Sequence, residues 1–430
     1  MNFQKIIFIA LGLLFIFSCS KEKDEEPPVI VIDSPTHLQN INSGDTLQIL
    51  GTISDDKNVQ SVRIVLKDNN NINALSTASI ELNSPTHNLN VLYFFDDIHM
   101  ETGTYHFNIS ATDGENTTTK FIEVFVSGVP KTREGVFIYD NVASTTSIFR
   151  LDNTFNATLF KSFSGDFLGG AANSYYQQLI STGSATGKAS VIDPEFGFDL
   201  WDIPLVNSPP TPYFTSIFFN DKTTYLGYYN GDIKGYNSSA TSSFSAQSVT
   251  GFYCESGFVH EEFLVTEQVD ITHANFRFGL YYLTTGAQSQ QFSIFEDICG
   301  MYSFTPNEIV LLSNDASNNG KLSFFNISAS GFSSPFSIGT GKIDACEEVG
   351  SGLYLIARNG DIRLVNANNF TTQLYVAGAN ATFLKYDEFT NELFVVSGNS
   401  LTVYDYSSKV VKGIYAHSSP ILDVQLMYNK

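Results

Sequence analysis

From residue 134 onward the chain repeats one unit seven times: an apolar run, a turn rich in glycine and asparagine, then a second apolar run. The pairs are Val136–Tyr139 with Ser147–Leu151, Gln177–Ile180 with Ala189–Ile192, Thr224–Tyr229 with Asp232–Tyr236, and Phe263–Thr266 with Phe276–Leu283. Ile309–Leu312 with Lys321–Phe325, Leu353–Ala357 with Asp361–Val365, and Leu393–Val396 with Leu401–Tyr404 complete the series. Successive units start 39 to 47 residues apart. Runs this short suit strands rather than helices. A period of about 40–50 residues built from short strands marks a propeller, with four strands to a blade.

The ends of the series bear on closure. The first unit begins directly at Val136–Tyr139 with no inner strand before it, and the last is followed by a spare apolar stretch, Ile421–Met427. If the spare strand completes blade one beside Phe137, the first and last blades join and an exposed edge disappears. A large sandwich or a β-helix would leave that strand unexplained. The expected fold is therefore all-β, with a seven-bladed β-propeller over 134–430 closed by its C-terminal strand. The unit resembles generic seven-bladed propellers of the WD40-like or YVTN-like kind. The Trp-Asp pair typical of the former occurs only once, at Trp201-Asp202, so the likeness concerns architecture and implies no activity.

Ahead of the repeats, short apolar runs alternate with Asp/Asn/Gly turns. The runs are Val29–Ile32, Leu47–Ile53, Val62–Leu66, Ile80–Leu82, Leu89–Tyr93, Tyr105–Ala111 and Phe121–Val126. Seven such runs in about 100 residues fit a β-sandwich. Ser43-Gly44-Asp45-Thr46-Leu47, Thr52-Ile53-Ser54-Asp55-Asp56, Gly103-Thr104-Tyr105-His106-Phe107 and Ala111-Thr112-Asp113-Gly114 resemble bacterial surface Ig-like domains, over 29–128. That resemblance implies a spacer or adhesion module. Asp45-Thr46-Leu47 also resembles an O-glycosylation acceptor of related surface proteins. Asp55, Asp56 and Asp113 supply the oxygen ligands calcium prefers, although ordinary turn aspartates look the same. No other cofactor is expected.

Lys5 precedes twelve uncharged residues, Ile6 to Phe17, followed by Ser18-Cys19. That core is too short to span a bilayer and fits a signal peptide over 1–18. A small residue before cysteine at its end resembles the bacterial lipoprotein signal, with Ile16 and Phe17 departing from the usual Leu-small-small pattern. By that resemblance Cys19 becomes the lipidated N-terminus, a stable anchor in outer-membrane lipid. The acidic tether over 19–28 begins Ser20-Lys21-Glu22-Lys23-Asp24-Glu25-Glu26 and resembles the export tag of surface-exposed lipoproteins of some Gram-negative bacteria.

The charge count narrows the partners. The 430 residues carry 23 Lys and Arg against 44 Asp and Glu, a net charge of −21, which opposes phosphate-backbone binding and excludes nucleic acid as a partner. Three cysteines remain after Cys19, and Cys254, Cys299 and Cys346 cannot all pair internally; their apolar settings favour small core residues.

Hairpins between the second and third strands are long at Asp140–Thr146, Ser181–Gly187, Gln268–Asn275 and Asn314–Gly320, whereas the turn at Thr305–Asn307 is short. Length on one face marks the binding side. Blade connections bring Asp166, Glu296, Asp297, Lys342, Asp344 and His417 to that face, and the long hairpins add Asp270, His273 and Asp315. Each of these is also an ordinary solvated loop residue type.

Motifs for specific chemistry are incomplete. Gly183-Ser184-Ala185-Thr186-Gly187-Lys188 is one residue short of a phosphate loop, and Gly339-Thr340-Gly341-Lys342 lacks the upstream glycine. His260-Glu261-Glu262 falls in a strand turn, where adjacent residues point apart. Glu296, Asp297 and Asp344 could form a glycosidase-like carboxylate pair. The expected function is a cell-surface lipoprotein acting as a binding or scaffold module for a glycan, a peptide or a partner membrane protein. The alternatives are a carbohydrate-active hydrolase or lyase using the face carboxylates, and a periplasm-facing assembly scaffold.

Overall fold

The computed structural model describes residues 25–208, 210–220 and 222–430. The expected signal peptide, the lipidated Cys19 and the tether up to Asp24 lie outside the described residues. The described chain is all-β and divides after Pro130 into two units.

The first unit contains β1 (Val29–Ser34), β2 (Gln39–Asn42), β3 (Thr46–Lys67), β4 (Ala78–Phe94), β5 (Gly103–Thr112) and β6 (Thr117–Ser127). They bond in the order β1-β3-β5-β6-β2, with β4 also paired to β3. Six strands thus replace the seven expected runs. Leu47–Ile53 and Val62–Leu66 share one strand, because the polar stretch between them continues β3 through a bulge between Ser54 and Val59. Ile80–Leu82 and Leu89–Tyr93 likewise share β4, which follows β3 across the same bulge. The short β2, with Ile41 its one buried side chain, was not anticipated; it pairs in parallel with β6. Alternate residues of β3, β5 and β6, among them Ile49, Ile53, Ile64, Phe107, Ile109 and Val124, are fully buried, as a period of two requires.

The second unit opens with β7 (Arg133–Val142), β8 (Thr145–Leu151) and β9 (Ala157–Ser164). The second sheet follows as β10 (Gly169–Asn173), β11 (Gln178–Thr182), β12 (Ala189–Ile192) and β13 (Asp199–Ile203). The third is β14 (Phe214–Asn220), β15 (Thr223–Tyr228), β16 (Asp232–Tyr236) and β17 (Ser242–Gln247). The fourth is β18 (Phe252–His260), β19 (Phe263–Asp270), β20 (Phe276–Tyr282) and β21 (Gln288–Ile294). In the fifth, β22 (Asp297–Thr305), β23 (Glu308–Asn314) and β24 (Gly320–Asn326) carry an outer strand split into β25 (Gly331–Phe332) and β26 (Phe336–Gly339). The sixth is β27 (Ile343–Gly350), β28 (Leu353–Arg358), β29 (Asp361–Asn366) and β30 (Thr371–Val376). The seventh is β31 (Phe383–Asp387), β32 (Glu392–Ser397), β33 (Ser400–Asp405) and β34 (Val411–Ala416). The last strand, β35 (Asp423–Tyr428), returns to the first sheet, pairing antiparallel with β7 so that Val424 faces Ile138 and Gln425 faces Phe137. Multiple four-stranded antiparallel sheets of this kind are compatible with a propeller.

Each repeat pair read from the sequence falls on the second and third strands of its sheet. Second strands such as β11 and β19 are buried on both faces, because a neighbouring sheet covers each side. Double burial turns strict alternation into a continuous apolar run. Neighbouring sheets share cores: Val265, Leu280, Leu311 and Phe325 between the fourth and fifth, Leu312, Leu322 and Ile356 between the fifth and sixth. Val136, Ile138, Val424 and Leu426 of the first sheet meet Phe394, Val396, Leu401 and Val403 of the seventh.

Strand register sets where the loops lie. Gly169 faces Thr182, Phe252 faces Asp270 and Asp423 faces Tyr139. The hairpin between second and third strands therefore lies at the same end of its sheet as the connection from the preceding one. One expected long hairpin is in fact tight. Strand β7 runs to Val142 and β8 starts at Thr145, leaving only Ala143 and Ser144, both left-handed at φ 50° and 58°. Two consecutive left-handed residues match the twist of the flanking strands.

A buried ionic group ties the first sheet to the seventh. Arg133 lies 2.8 Å from Asp387 Oδ2 and 2.6 Å from Glu392 Oε2, Lys412 bonds the other Glu392 oxygen, and the Tyr428 hydroxyl donates to Asp387. Removing the guanidinium would leave buried Asp387 without a cation while Glu392 keeps Lys412, so Arg133→Met is expected to cost about 3 kcal/mol. Urea unfolding followed by the fluorescence of Trp201, the sole tryptophan and a reporter on the second unit, checks this; a loss below about 1 kcal/mol, the level of an exposed pair, would contradict it.

Candidate functional site

The residues expected at the connection end are mostly acceptors for their own loops. Asp166, on the connection between β9 and β10, receives four backbone N–H bonds from the next hairpin. Ser184 and Ala185 bond one oxygen at 3.1 and 2.8 Å, and Thr186 and Gly187 bond the other at 2.8 and 2.7 Å. This is the glycine-rich stretch that falls short of a phosphate loop. It does form an anion cradle, but the anion is the chain's own carboxylate. A Cβ on Gly183 would lie 2.7 Å from Asp166 Oδ1, and one on Gly187 would lie 2.5 Å from the Asp166 carbonyl oxygen. Burial raises the Asp166 pKa, but the bonds from Thr186, Gly187 and Ala185 outweigh it and hold the carboxyl below the usual range.

Asp270 and Asp315 behave alike. Asp270 Oδ1 accepts from Thr272 and Ala274 backbone N–H, and Asn275 donates to its other oxygen, so these bonds hold its pKa low. Asp315 accepts from Ser317 and Asn319 and pairs with Lys321 at 3.2 Å. His417 is buried between Asp140, 2.7 Å away, and the Tyr415 hydroxyl, also 2.7 Å away, with Ser419 donating to the same Asp140 oxygen. The serine bonds the aspartate rather than the histidine, which is not the order a nucleophilic triad needs. Lys342 and Asp344 are exposed, and Glu296 accepts from the Phe295 N–H at 3.2 Å. At the opposite end of the fourth sheet His260 bonds Ser303 and the Pro306 carbonyl, a buried tie to the fifth sheet. In the first unit Asp113 accepts from Glu115 and Asn116, and Asp55 from Lys57, as turn aspartates do.

Of the expected residues, His273 and Asp297 share one corner, at the junction of the fourth and fifth sheets. His273 bonds the Tyr253 hydroxyl at 2.8 Å and lies 3.5 Å from Glu255 Oε1. Glu255 sits beside the β18 bulge between Cys254 and Ser256; its pKa is raised by burial and by Asp297, against the pull of His273. Behind it Glu267, 1% exposed, accepts from the Ile298 N–H at 2.7 Å and shares a 3.0 Å bond with Ser256. Burial, then Glu255 and Asp297, push Glu267 up to about 8, so it is protonated at neutral pH. Glu255, Glu267 and Tyr253 escaped the sequence reading because they lie inside strand runs. A signal was present: Thr266-Glu267-Gln268 interrupts the apolar run between Phe263 and Val269, and an acidic residue on a doubly buried strand needs a reason.

The corner can accept hydrogen bonds from a ligand through Glu255 and Asp297. Among the described residues no group of three or more His, Cys, Asp or Glu is arranged to hold a metal ion. Cys254, Cys299 and Cys346 are free thiols, and burial pushes Cys254 and Cys346 up to about 12. They are inert packing residues rather than nucleophiles.

No family model matches the chain, and no curated protein matches it. Among solved structures it is similar to the computationally designed Ika8 protein, at 12% identity and TM-score 0.47 over 68% of this chain and 90% of that one. A chain of the mitotic checkpoint complex matches at 14% identity and TM-score 0.49, over 67% and 86%. Hydrazine synthase of Kuenenia stuttgartiensis matches at 11% and 0.48, over 68% and 98%. Function is therefore read from this chain's own residues.

Glu267 makes stability fall with rising pH. Between the ordinary glutamate value of 4.5 and about 8 the unfolded chain has lost this proton while the folded chain keeps it. The expected slope from this one group is up to about 1.4 kcal/mol per pH unit across that window. Glu267→Gln keeps an acceptor for Ile298 and removes the titration. Its stability relative to the parent should rise from about pH 5 to 8 in urea melts; parallel curves for the two proteins would refute the assignment.

Proposed function

We propose that the chain is a lipid-anchored cell-surface binding protein. In this reading Cys19 carries the anchor, residues 29–128 form an Ig-like spacer, and 134–430 form a seven-bladed β-propeller closed by β35. The pairing of β35 with β7 and the shared core of the first and seventh sheets support closure. The connection end of the propeller is the binding face, and its ligand is a glycan, a peptide or a partner membrane protein. The observation that carries this reading is the self-satisfied loop face. Asp166, Asp270 and Asp315 bond within and between the loops, so the face is ordered before any ligand arrives. Out of it stand Ile271, in the β19–β20 hairpin, and Phe295, on the β21–β22 connection, 73% and 86% exposed. Apolar groups beside convergent acceptors suit recognition.

A carbohydrate-active enzyme is the second reading, favoured by one observation. Burial and the Asp297 charge raise the Glu255 pKa against the pull of His273, and glycoside hydrolysis uses two carboxyl groups in unlike environments. Screening the purified protein against polysaccharides, for binding and for product release, separates the two. Binding without product is expected. Turnover abolished by Glu255→Gln or Asp297→Asn would replace the binding reading with the enzymatic one. For the address, labelled fatty acid should enter the protein but not its Cys19→Ala variant, and protease added to intact cells should remove it. Protection from protease would favour a periplasm-facing scaffold instead.

A further inference from the structure

The fifth sheet departs from the others at its outer edge. Its fourth strand is interrupted at Ser333–Pro335, between β25 and β26. Beside this gap, between the fourth and fifth sheets, lies a cavity of about 190 Å³ whose lining includes Ser293, Phe295, Glu296, Leu311, Ser313 and Ser323. Register explains the lining. Leu311 and Ser313 alternate onto the same face of β23, and Ser323 faces Leu311 across the β23–β24 pair. On that face Ile309, Leu311 and Phe325 belong to the core shared with the fourth sheet. Toward the connection end the apolar layer gives way to hydroxyls.

Those hydroxyls are the informative groups. Ser313 is 2% exposed, Ser323 is half-buried and Ser293 is exposed, and none of the described residues bonds their side chains. Hydroxyls that line the cavity without a protein partner can donate to and accept from a ligand there. Ser333 is already engaged, accepting from the Phe324 N–H at 2.9 Å. Glu296 adds an acceptor-only carboxylate, and no lysine or arginine lines the space. An anionic ligand would meet repulsion there. An aromatic side chain would fill the volume but offer these hydroxyls no partner. A neutral sugar ring presents hydroxyls in several directions and an apolar face for stacking, and Phe295 stands exposed at the mouth.

We propose that the cavity between β21 and β23–β25, bounded by Ser313, Ser323, Glu296 and Phe295, binds one neutral pyranose residue of a glycan. The inference rests on the binding reading above and gives that face a ligand class and a place.

Saturation-transfer NMR and calorimetry of the purified protein against neutral hexose oligosaccharides (glucans, mannans and galactans), with glucuronate oligomers and aromatic peptides alongside, test it. The expected result is binding of at least one neutral glycan and none of the glucuronates. Ser313→Ala and Phe295→Ala should each weaken that binding roughly tenfold, the equivalent of one lost hydrogen bond or stacked ring. Phe295 is exposed, so its variant keeps the fold even if the Ser313 variant does not. Glycan binding that both variants leave unchanged would overturn the cavity as the site while leaving the binding reading intact. Preference for aromatic peptides, or no neutral glycan bound up to about 10 mM, would overturn the ligand class.

Discussion

Hydrogen bonding between Asp423–Tyr428 and Arg133–Val142 is the contact on which the second unit depends. The other six sheets are built from hairpins local in sequence, and each could form from its own segment. The first sheet alone recruits a strand from the far end of the chain. Without it β7 would present an unpaired edge, and the apolar faces of Val136, Ile138 and Phe394 would lose Val424 and Leu426. Polar ties flank the pairing at both ends, with Arg133, Asp387 and Tyr428 at one and Asp140, His417 and Ser419 at the other. Closing so long a loop adds only a little to the entropy cost of a shorter one.

The connection end shows how a strongly acidic chain can keep an ordered surface. Its hairpins need acceptors for backbone N–H groups that have no strand partner. Aspartates supply them, within one hairpin at Asp270 and Asp315 and from a neighbouring connection at Asp166. Each such carboxylate is fixed by several bonds and held ionised, and its charge is spent inside the loop. At the corner of the fourth and fifth sheets the balance reverses. Glu255 and Glu267 are crowded by one another and by Asp297, and burial favours their protonated forms.

How far the site could be read in advance differs residue by residue. Asp166, Asp270, Asp315, His273 and Asp297 were legible as loop or connection residues at one end of the sheets. Sequence could not tell which of their oxygens already had donors, because those donors are backbone groups placed by the fold. The Gly183–Lys188 stretch illustrates this: it falls one residue short of a phosphate loop, and only the packing of Asp166 against it shows that its backbone does cradle an anion. Glu255 and Glu267 were hidden for the opposite reason. They occupy strand positions, and their chemistry comes from a neighbouring sheet. The cavity beside Ser313 was hidden too, since it arises where an outer strand breaks between two sheets.

By itself the sequence determined the all-β class, the repeating strand pairs and the spare strand at the end, because apolar periodicity and turn residues are local properties of the chain. Tertiary structure alone decided that β3 and β4 run unbroken through a polar stretch, that Ala143-Ser144 makes a tight turn, and which carboxylates are capped, crowded or open. Those outcomes depend on burial and on partners distant in sequence, and a hydrogen bond or a pKa shift exists only once both sides have been brought together.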